Sequence, residues 1–365
     1  MMTGNKKHSK IIFALVTEAF NGRGGIAQYN RDIFNVFNES HGIKTYIFPR
    51  RTSKAKYITS CLYQFSSVFN KYLYVLKTFI YALNLRPQVI YCGHLHMITL
   101  AYMISLLTRS KLVCQLHGIE VTETLSGLNK YCLLKCKTIL CVSEDTRNRA
   151  KFLLGQSNVD LEVIHNTVSE KFEIIDRALA RSKFGQSNER FLILTVARLD
   201  ASQQHKGQDT IIKCLQSLIK VNPYVHYLIA GEGDDEKRLR KLASDLNVEN
   251  AVTFMGYVPS KDLVYLYNAC DLFAMPSTGE GFGIAFVEAM ACGVTTIGLS
   301  VAGARDPLAL SGYHCITERQ FNAKLIEIVK KGWSKKDPAL REKIIRNFGR
   351  EALKSKVLSV FNNLL

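Results

Sequence analysis

Short runs rich in β-branched and aromatic residues alternate along the chain with longer stretches whose apolar positions recur at a helical period. In the first half the strand-like runs are Lys10–Val16, Thr45–Phe48, Val89–Tyr91, Lys111–Gln115, Thr138–Val142 and Glu162–Ile164. A second series follows at Phe191–Val196, His226–Ala230, Val252–Phe254, Leu272–Ala274 and Thr295–Gly298. Alternation of this kind predicts parallel sheets covered by helices on both faces. Two series predict two doubly wound α/β domains, and such domains take their ligands at the carboxyl ends of the strands. A polar, glycine-containing segment, Lys183–Glu189, precedes the first strand of the second series and marks the expected boundary. The expected domains are residues 1–185 and 186–346. In the tail, 347–365, Phe348, Leu353, Val357, Val360 and Phe361 fall roughly on one helical face.

Composition changes this picture little, and charge changes it more. The chain has 365 residues, 47% of them hydrophobic and 22% charged, as in a globular protein. The net charge is +17, and it is uneven: the first 187 residues hold 25 Lys and Arg against 12 Asp and Glu. A basic first half points to an anionic partner, nucleic acid or a lipid surface, or else to a solvated lysine-rich face. The ten cysteines are scattered, none with CxxC spacing, and most lie in apolar segments. They read as reduced core residues of a cytoplasmic protein, neither a disulfide frame nor a zinc site. Lys6, Lys7 and Lys10 precede the apolar run Ile11–Val16, which is too short for a signal sequence and is followed by Glu18. No stretch reaches the ~18 apolar residues of a spanning helix.

The densest chemistry lies in Met275–Cys292. Glu280 and Glu288 stand eight residues apart, with Gly281, Phe282, Gly283 and Ile284 directly after the first. Two glycines let backbone N–H groups approach an anion or a sugar. The run Gly283 to Cys292 then reads as a helix whose N-terminus faces the same loop. Upstream, Thr195–Leu199 ends a strand with Arg198, and His205, Lys206 and Gly207 follow before an amphipathic helix from Gln208. Two cations after a strand suit a diphosphate, Arg by binding two oxygens and Lys as a point charge.

Together these elements resemble the EX7E motif and the Arg-Leu and Lys-Gly motifs of the GT4 family, the group 1 retaining glycosyltransferases with the GT-B fold. The resemblance implies two Rossmann-like doubly wound domains facing across a cleft, with a C-terminal helix crossing back to the first domain. It implies that Glu280 and the Gly281–Gly283 loop hold the donor sugar and that Glu288 holds the ribose. Arg198 and Lys206 would bind the diphosphate and stabilise it as it leaves. The strand ends Gly231-Glu232-Gly233 and Gly256-Tyr257-Val258 would line the donor site, the latter reading the base through its backbone. In the first domain, Gly24 and Gly25 of the loop Gly22-Arg23-Gly24-Gly25 would close over the phosphates. This loop is not a Gly-x-Gly-x-x-Gly dinucleotide fingerprint, and it serves as well as a tight strand-to-helix turn. His117, in His117-Gly118-Ile119-Glu120, would lie against the sugar near its anomeric centre.

Three places depart from the family pattern. Glu120 stands where Asp is usual, His165-Asn166-Thr167 where Pro-Asn-Gly is usual, and Asp306 where Glu is common. The segment Lys54–Arg86 interleaves aromatics with lysines and holds no acid, which fits either an interfacial surface or a core helix pair. No DxD motif and no metal-spaced cluster is present, so a metal-independent transfer without cofactor is expected. The resulting expectation is a hexosyltransferase moving a sugar from a nucleotide-diphosphate donor to a saccharide or polyprenyl-linked acceptor in bacterial surface polysaccharide or lipopolysaccharide synthesis. It would be cytoplasmic, with an anionic membrane surface as a possible partner through 54–86 and no nucleic acid. The alternatives are a noncatalytic nucleic-acid-binding or membrane scaffold protein, and another activity of the fold such as a phosphorylase or a nucleotide-sugar epimerase.

Overall fold

The computed structural model of the protein describes residues 10–22, 24–51, 56–118, 120–121, 125–313, 315–333 and 335–365. Lys6, Lys7, Arg23, Lys54 and Ile119, singled out above, lie outside the described residues. The chain divides into two compact units, Met1–Thr167 with Glu351–Leu365, and Val168–Arg350.

The first unit is built on eight strands: β1 (Lys10–Val16), β2 (Ile43–Pro49), β3 (Lys56–Thr59), β4 (Leu62–Gln64), β5 (Val89–Cys92), β6 (Lys111–Leu116), β7 (Thr138–Cys141) and β8 (Asp160–Val163). Their order is β3-β4-β2-β1-β5-β6-β7-β8. All neighbours are parallel except β3 and β4, which form an antiparallel edge. Its helices are α1 (Gly25–Glu39), α2 (Lys71–Leu85), α3 (Ile98–Thr108), α4 (Gly127–Leu133) and α5 (Glu144–Leu154). The chain moves left from β1 to β2 but right from β4 through β8. Right-handed crossovers therefore place α1 on one face and α2 to α5 side by side on the other. Strand order reverses at β1, so the loops after β1 and β5 diverge and leave a crevice at their carboxyl ends.

The second unit has five parallel strands, β9 (Phe191–Val196), β10 (Val225–Ala230), β11 (Val252–Gly256), β12 (Leu272–Met275) and β13 (Thr295–Gly298), in the order β11-β10-β9-β12-β13. Around it lie α6 (Arg177–Ser182), α7 (Gln208–Val221), α8 (Glu236–Asp245), α9 (Leu263–Ala269), α10 (Ile284–Ala291), α11 (Arg305–Leu308), α12 (Glu318–Lys331) and α13 (Pro338–Phe348). Here the order reverses at β9, between β10 and β12. Caps follow from the sequence: Thr317 and Gln320 form a capping box on α12, and Asp337 caps α13 with Pro338 at its first turn. The last helix, α14 (Arg350–Asn362), groups with the first unit. Phe361 packs on Phe37 of α1 at 4.6 Å, and Lys356 pairs with Glu162 at 2.7 Å.

Every strand of both expected series is present, with ends shifted by up to two residues. The hairpin β3–β4 was not expected. It lies within the aromatic segment, where Leu62 and Phe65 are buried against the sheet, so that part is core and not interface. The tail 347–365 is mostly α14, and only Asn347 and Phe348 belong to α13. α13 ends at Phe348, and Gly349 permits the break because a Cβ there would overlap the Ile345 carbonyl.

The boundary at 185/186 is also corrected, to 167/168. The segment Val168–Lys183 belongs to the second unit because Arg181 is buried there. Its guanidinium donates to Asp271 Oδ2 at 2.6 Å, while Arg177 donates to Asp271 Oδ1 at 3.0 Å. The same carboxylate accepts from the Leu192 N–H at 2.7 Å. Lys183–Glu189 is therefore a turn inside the unit. All ten cysteines are free and nine are buried. Among the described residues no helix is long and apolar enough to cross a membrane.

Replacing Asp271 by alanine leaves the buried Arg181 guanidinium, and the partly exposed one of Arg177, without their shared anion. The expected loss is about 3–5 kcal/mol in the unfolding free energy of the second unit, read by chemical denaturation; a loss below about 1 kcal/mol would show the network to be dispensable.

Candidate functional site

The crevice beside β9 gathers most of the residues singled out in the second half. Arg198 follows β9 and is exposed. A 3-10 turn, Ala201–Lys206, then delivers His205 and Lys206 to the N-terminus of α7. On the other side of the switch, β12 runs into Pro276–Gly283 and α10. The two loops meet: the Thr278 N–H donates to the His205 carbonyl at 2.9 Å. Lys206 Nζ donates to Glu280 Oε1 at 2.7 Å, with both side chains largely shielded from solvent. Burial, then the Lys206 charge, hold the His205 imidazole below its ordinary pKa, so it stays neutral beside the pair.

Backbone contacts fix this geometry. Gly231 has φ 142°, and a Cβ there would overlap the Ala197 carbonyl. The loop after β10 thus lies directly on the Arg198 loop, and the Leu199 N–H donates to the Glu232 carbonyl at 3.0 Å. Likewise a Cβ on Gly303 would overlap the Gly281 carbonyl, and the Gly303 N–H donates to the Glu280 carbonyl at 3.0 Å. Gly283, at φ 86°, is the N-cap of α10, and no side chain caps that helix. Phe282 is buried on Phe348 at 5.3 Å, so it anchors the loop from beneath. Ile284 is half-buried at the first turn of α10, and Val258 is half-buried after β11. Tyr257 is 55% exposed.

Glu288 lies in the second turn of α10. Its carboxyl is partly buried, and that burial lifts its pKa to about 7, against the opposing pull of a Tyr267 hydrogen bond and the Lys171 charge. The Tyr267 hydroxyl on α9 donates to Glu288 Oε2 at 2.8 Å. Two buried polar atoms in the adjoining segments, Gln208 Nε2 and Ser277 Oγ, have no hydrogen-bond partner among the described residues. Orphaned polar atoms of this kind are costly unless a ligand meets them. Tyr267 was not singled out from the sequence, and Gln208, Ser277 and Gly303 were given no role at the site. Their types are ordinary, and only the fold brings them to the crevice.

In the first unit the glycine loop and His117 occupy the corresponding crevice at β1. Gly24, at φ 90°, is the N-cap of α1, and Gly25 opens the helix. Arg31 holds the loop by donating to the carbonyls of Ala19 and Gly22 at 2.7 and 2.8 Å. His117 follows β6 and is 7% exposed. Its Nε2 donates to the Gly93 carbonyl at 3.0 Å, which leaves Nδ1 as acceptor. Glu120 accepts from the His117 backbone N–H at 2.7 Å, so the acidic place of that motif shapes the turn. Burial keeps His117 neutral, although Glu120 opposes the shift. His94, stacked on His96 at 4.6 Å, lies 5.9 Å from His117 and joins it at this edge. Among the described residues no group of three His, Cys, Asp or Glu side chains could hold a metal ion.

Comparison with known proteins agrees with this construction. Solved structures share the fold across nearly the whole chain. Sucrose-phosphate synthase of Thermosynechococcus elongatus has a TM-score of 0.76 at 17% identity, covering 97% of this chain and 99% of that one. HepE of Anabaena, solved with UDP-glucose, has a TM-score of 0.73 at 20% identity, covering 96% and 99%. The fold is thus the GT-B type: α/β, with two Rossmann-like sheets.

The family described as Glycosyl transferases group 1 matches residues 176–348, and the second unit belongs to it. A GDP-mannose-dependent monoacylated alpha-(1-6)-phosphatidylinositol monomannoside mannosyltransferase of Corynebacterium glutamicum is 31% identical over 216 residues, 54% of each chain. A D-inositol 3-phosphate glycosyltransferase of Mycobacteroides abscessus is 30% identical over 164 residues, 44% of this chain and 36% of that one. The match spans about half or less of these curated relatives.

The raised pKa of Glu288 has a consequence for stability. Its folded value, about 7, lies above the unfolded Glu value of about 4.3, so the folded state binds the extra proton. Stability from this group is present below about pH 4.3 and is lost as pH rises through about 7. Denaturation at pH 5 and pH 8 should show Glu288→Gln removing about 1–3 kcal/mol of that decline. An identical decline in wild type and variant would assign it elsewhere.

Proposed function

We propose that the protein is a retaining hexosyltransferase that moves a sugar from a nucleotide-diphosphate donor to a hydroxyl of a saccharide or lipid-linked acceptor. The observation that carries this reading is the Lys206–Glu280 pair at 2.7 Å at the β9 switch point, beside Arg198 and the uncapped N-terminus of α10. A diphosphate offers Lys206 a second anionic partner and can take two N–H bonds from Arg198. Glu280, with the Gly281–Gly283 backbone, is then available to sugar hydroxyls. Glu288, held at one oxygen by Tyr267, accepts from the ribose diol. Gln208 and Ser277 supply further polar contacts to the bound donor.

In the reaction, the bond from the anomeric carbon to the diphosphate oxygen breaks, and a bond to the acceptor oxygen forms on the same face. The acceptor proton passes to the departing phosphate oxygen. Negative charge grows on the diphosphate, and Arg198, Lys206 and the α10 N-terminus stabilise it where it develops. Fixed cations of this kind support a transfer that needs no metal. The curated relatives carry sugar-transfer names, one of them a mannosyltransferase, and a lipopolysaccharide outer core galactosyltransferase shares the fold at a TM-score of 0.71. These favour a hexose donor and a place in bacterial surface polysaccharide or lipopolysaccharide synthesis, on the cytoplasmic side.

Thermal-shift titration against UDP, GDP, ADP and their sugars, with and without EDTA, tests the donor. One nucleotide should stabilise the protein, by about 2.7 kcal/mol at 100 times its Kd, and EDTA should leave the shift intact. Binding of RNA or DNA with a steep salt dependence, and of none of the nucleotides, would overturn the reading.

In turnover assays, Arg198→Ala and Lys206→Ala should each lower kcat by about 10²–10³. Glu288→Ala should abolish turnover with the fold intact. NMR of the product should show the donor's anomeric configuration kept; an inverted product would refute the same-face step.

A further inference from the structure

The amino edge of the second sheet lies at the far end of its strands from the Arg198 loop. β9 runs for six residues, Phe191–Val196, so the two edges are about 20 Å apart. A groove of about 370 Å³ opens at the amino edge, a volume in the range of small-molecule sites. Arg190, just before β9, and His226, in the first turn of β10's path, line it from the sheet. Tyr224 lines it from the turn after α7, and Asn247 and Asn250 from the turn between α8 and β11. Ile219, Pro223 and Val248 add apolar atoms.

Main-chain bonds hold both sides in place. The Phe191 N–H donates to the Tyr224 carbonyl at 3.0 Å, and the Val225 N–H to the Asn222 carbonyl at 3.1 Å. Opposite, the Val248 N–H donates to the Ala243 carbonyl and the Ala251 N–H to the Val248 carbonyl, each at 2.9 Å. The Arg190 carbonyl accepts from the buried Arg181 guanidinium at 2.9 Å, so the Asp271 network also fixes this position. The groove is therefore formed before anything enters it.

Its polar side chains are held there without being used. The Tyr224 ring is 63% exposed. The Arg190 guanidinium, the Tyr224 hydroxyl and the Asn247 and Asn250 carboxamides make no hydrogen bond to another described residue. His226 is buried, with Nε2 on Thr253 Oγ1 at 2.7 Å, and its Nδ1 has no partner among the described residues. Burial, then the Arg190 charge, hold this imidazole at a pKa of about 4, so it is uncharged. No acid lines the groove, and its one charge is that of Arg190. An aromatic face beside carboxamides complements a sugar ring, which has an apolar C–H face and a rim of hydroxyls that donate and accept. A lone guanidinium suits one acidic substituent, both of whose oxygens it can bind. An alkyl chain would leave the carboxamides and His226 unsatisfied. A nucleoside diphosphate would bring several negative charges to a single cation.

We propose that this groove is a second, noncatalytic saccharide site for a sugar unit with one acidic group, its ring on Tyr224, its acid on Arg190 and its hydroxyls on Asn247 and Asn250. Such a site holds a saccharide at a point that the donor crevice does not reach. It does not depend on the donor chemistry proposed above, because binding is read without turnover. The test is an NMR titration of the full-length protein with glucuronate, glucose 6-phosphate, glucose and inorganic phosphate. An acidic sugar should shift the Tyr224 ring signals and the Asn247 and Asn250 side-chain amides, and the two acidic sugars distinguish a carboxylate from a phosphate ester. Tyr224→Ala and Arg190→Gln, both at exposed positions, should each weaken that binding by about tenfold or more, with the melting midpoint unchanged. Glucose binding as tightly as the acidic sugars would overturn the role of Arg190. Inorganic phosphate shifting the same signals with equal affinity would reduce the groove to an anion site and overturn the proposal. So would shifts confined to the Arg198 loop, or variants that bind as wild type does.

Discussion

A Cβ on Gly231 would overlap the Ala197 carbonyl, and a Cβ on Gly303 would overlap the Gly281 carbonyl. These two contacts let four loops at the carboxyl edge of the second sheet lie directly on one another in two pairs. Once they touch, backbone bonds hold them: Leu199 N–H to Glu232, and Gly303 N–H to Glu280. Arg198 and Glu280 are therefore carried on main chain that cannot move without breaking neighbouring loops. The sheet order explains why these particular loops meet. β9 is the point of reversal, so its loop faces the loop after β12 across a gap that no crossover helix fills. Sites held by rigid elements keep charged groups in place at the moment charge develops, and that is where electrostatic stabilisation is strongest.

Two glutamates one helix turn and a loop apart acquire different properties from this frame. Glu280 lies against the Lys206 ammonium at 2.7 Å. Among the described residues no cation bonds Glu288; burial raises it to about 7, and the Tyr267 phenol engages one of its oxygens. Environment, not residue type, separates a charge-paired carboxylate from a near-neutral acceptor.

The strands were legible because parallel strands buried on both faces read as continuous apolar runs, as in Phe191–Val196 and Val225–Ala230. Glu280, Glu288, Arg198 and Lys206 were legible through their spacing. Tyr267 was not, because a tyrosine in Leu263–Ala269 reads as helix core, and only the packing of α9 against α10 turns its hydroxyl to Glu288. The boundary failed for a related reason. Lys183–Glu189 has linker composition, but Arg181 just before it is committed to Asp271, ninety residues on. Local polarity cannot report a long-range ion pair. The hairpin β3–β4 was hidden by strands of four and three residues, too short to show alternation.

The outward packing of α2 could not be read from periodicity either. Lys71–Leu85 is apolar almost all round, which ordinarily predicts a fully buried helix. The first sheet has room for only one narrow stripe of it, and the stripe taken is Tyr74, Thr78 and Ala82. The second unit shows the ordinary outcome: α7 buries Ile211, Ile212, Leu215 and Leu218, and its exposed large hydrophobes, such as Tyr224, Tyr257 and Trp333, lie on separate elements. Both units fold by the same rule, so the solvent exposure of Leu73, Leu76, Ile80 and Leu83 is not a general looseness of packing. In the first unit it is concentrated on α2, α3 and α4, with Phe152 of α5 a further exposed ring.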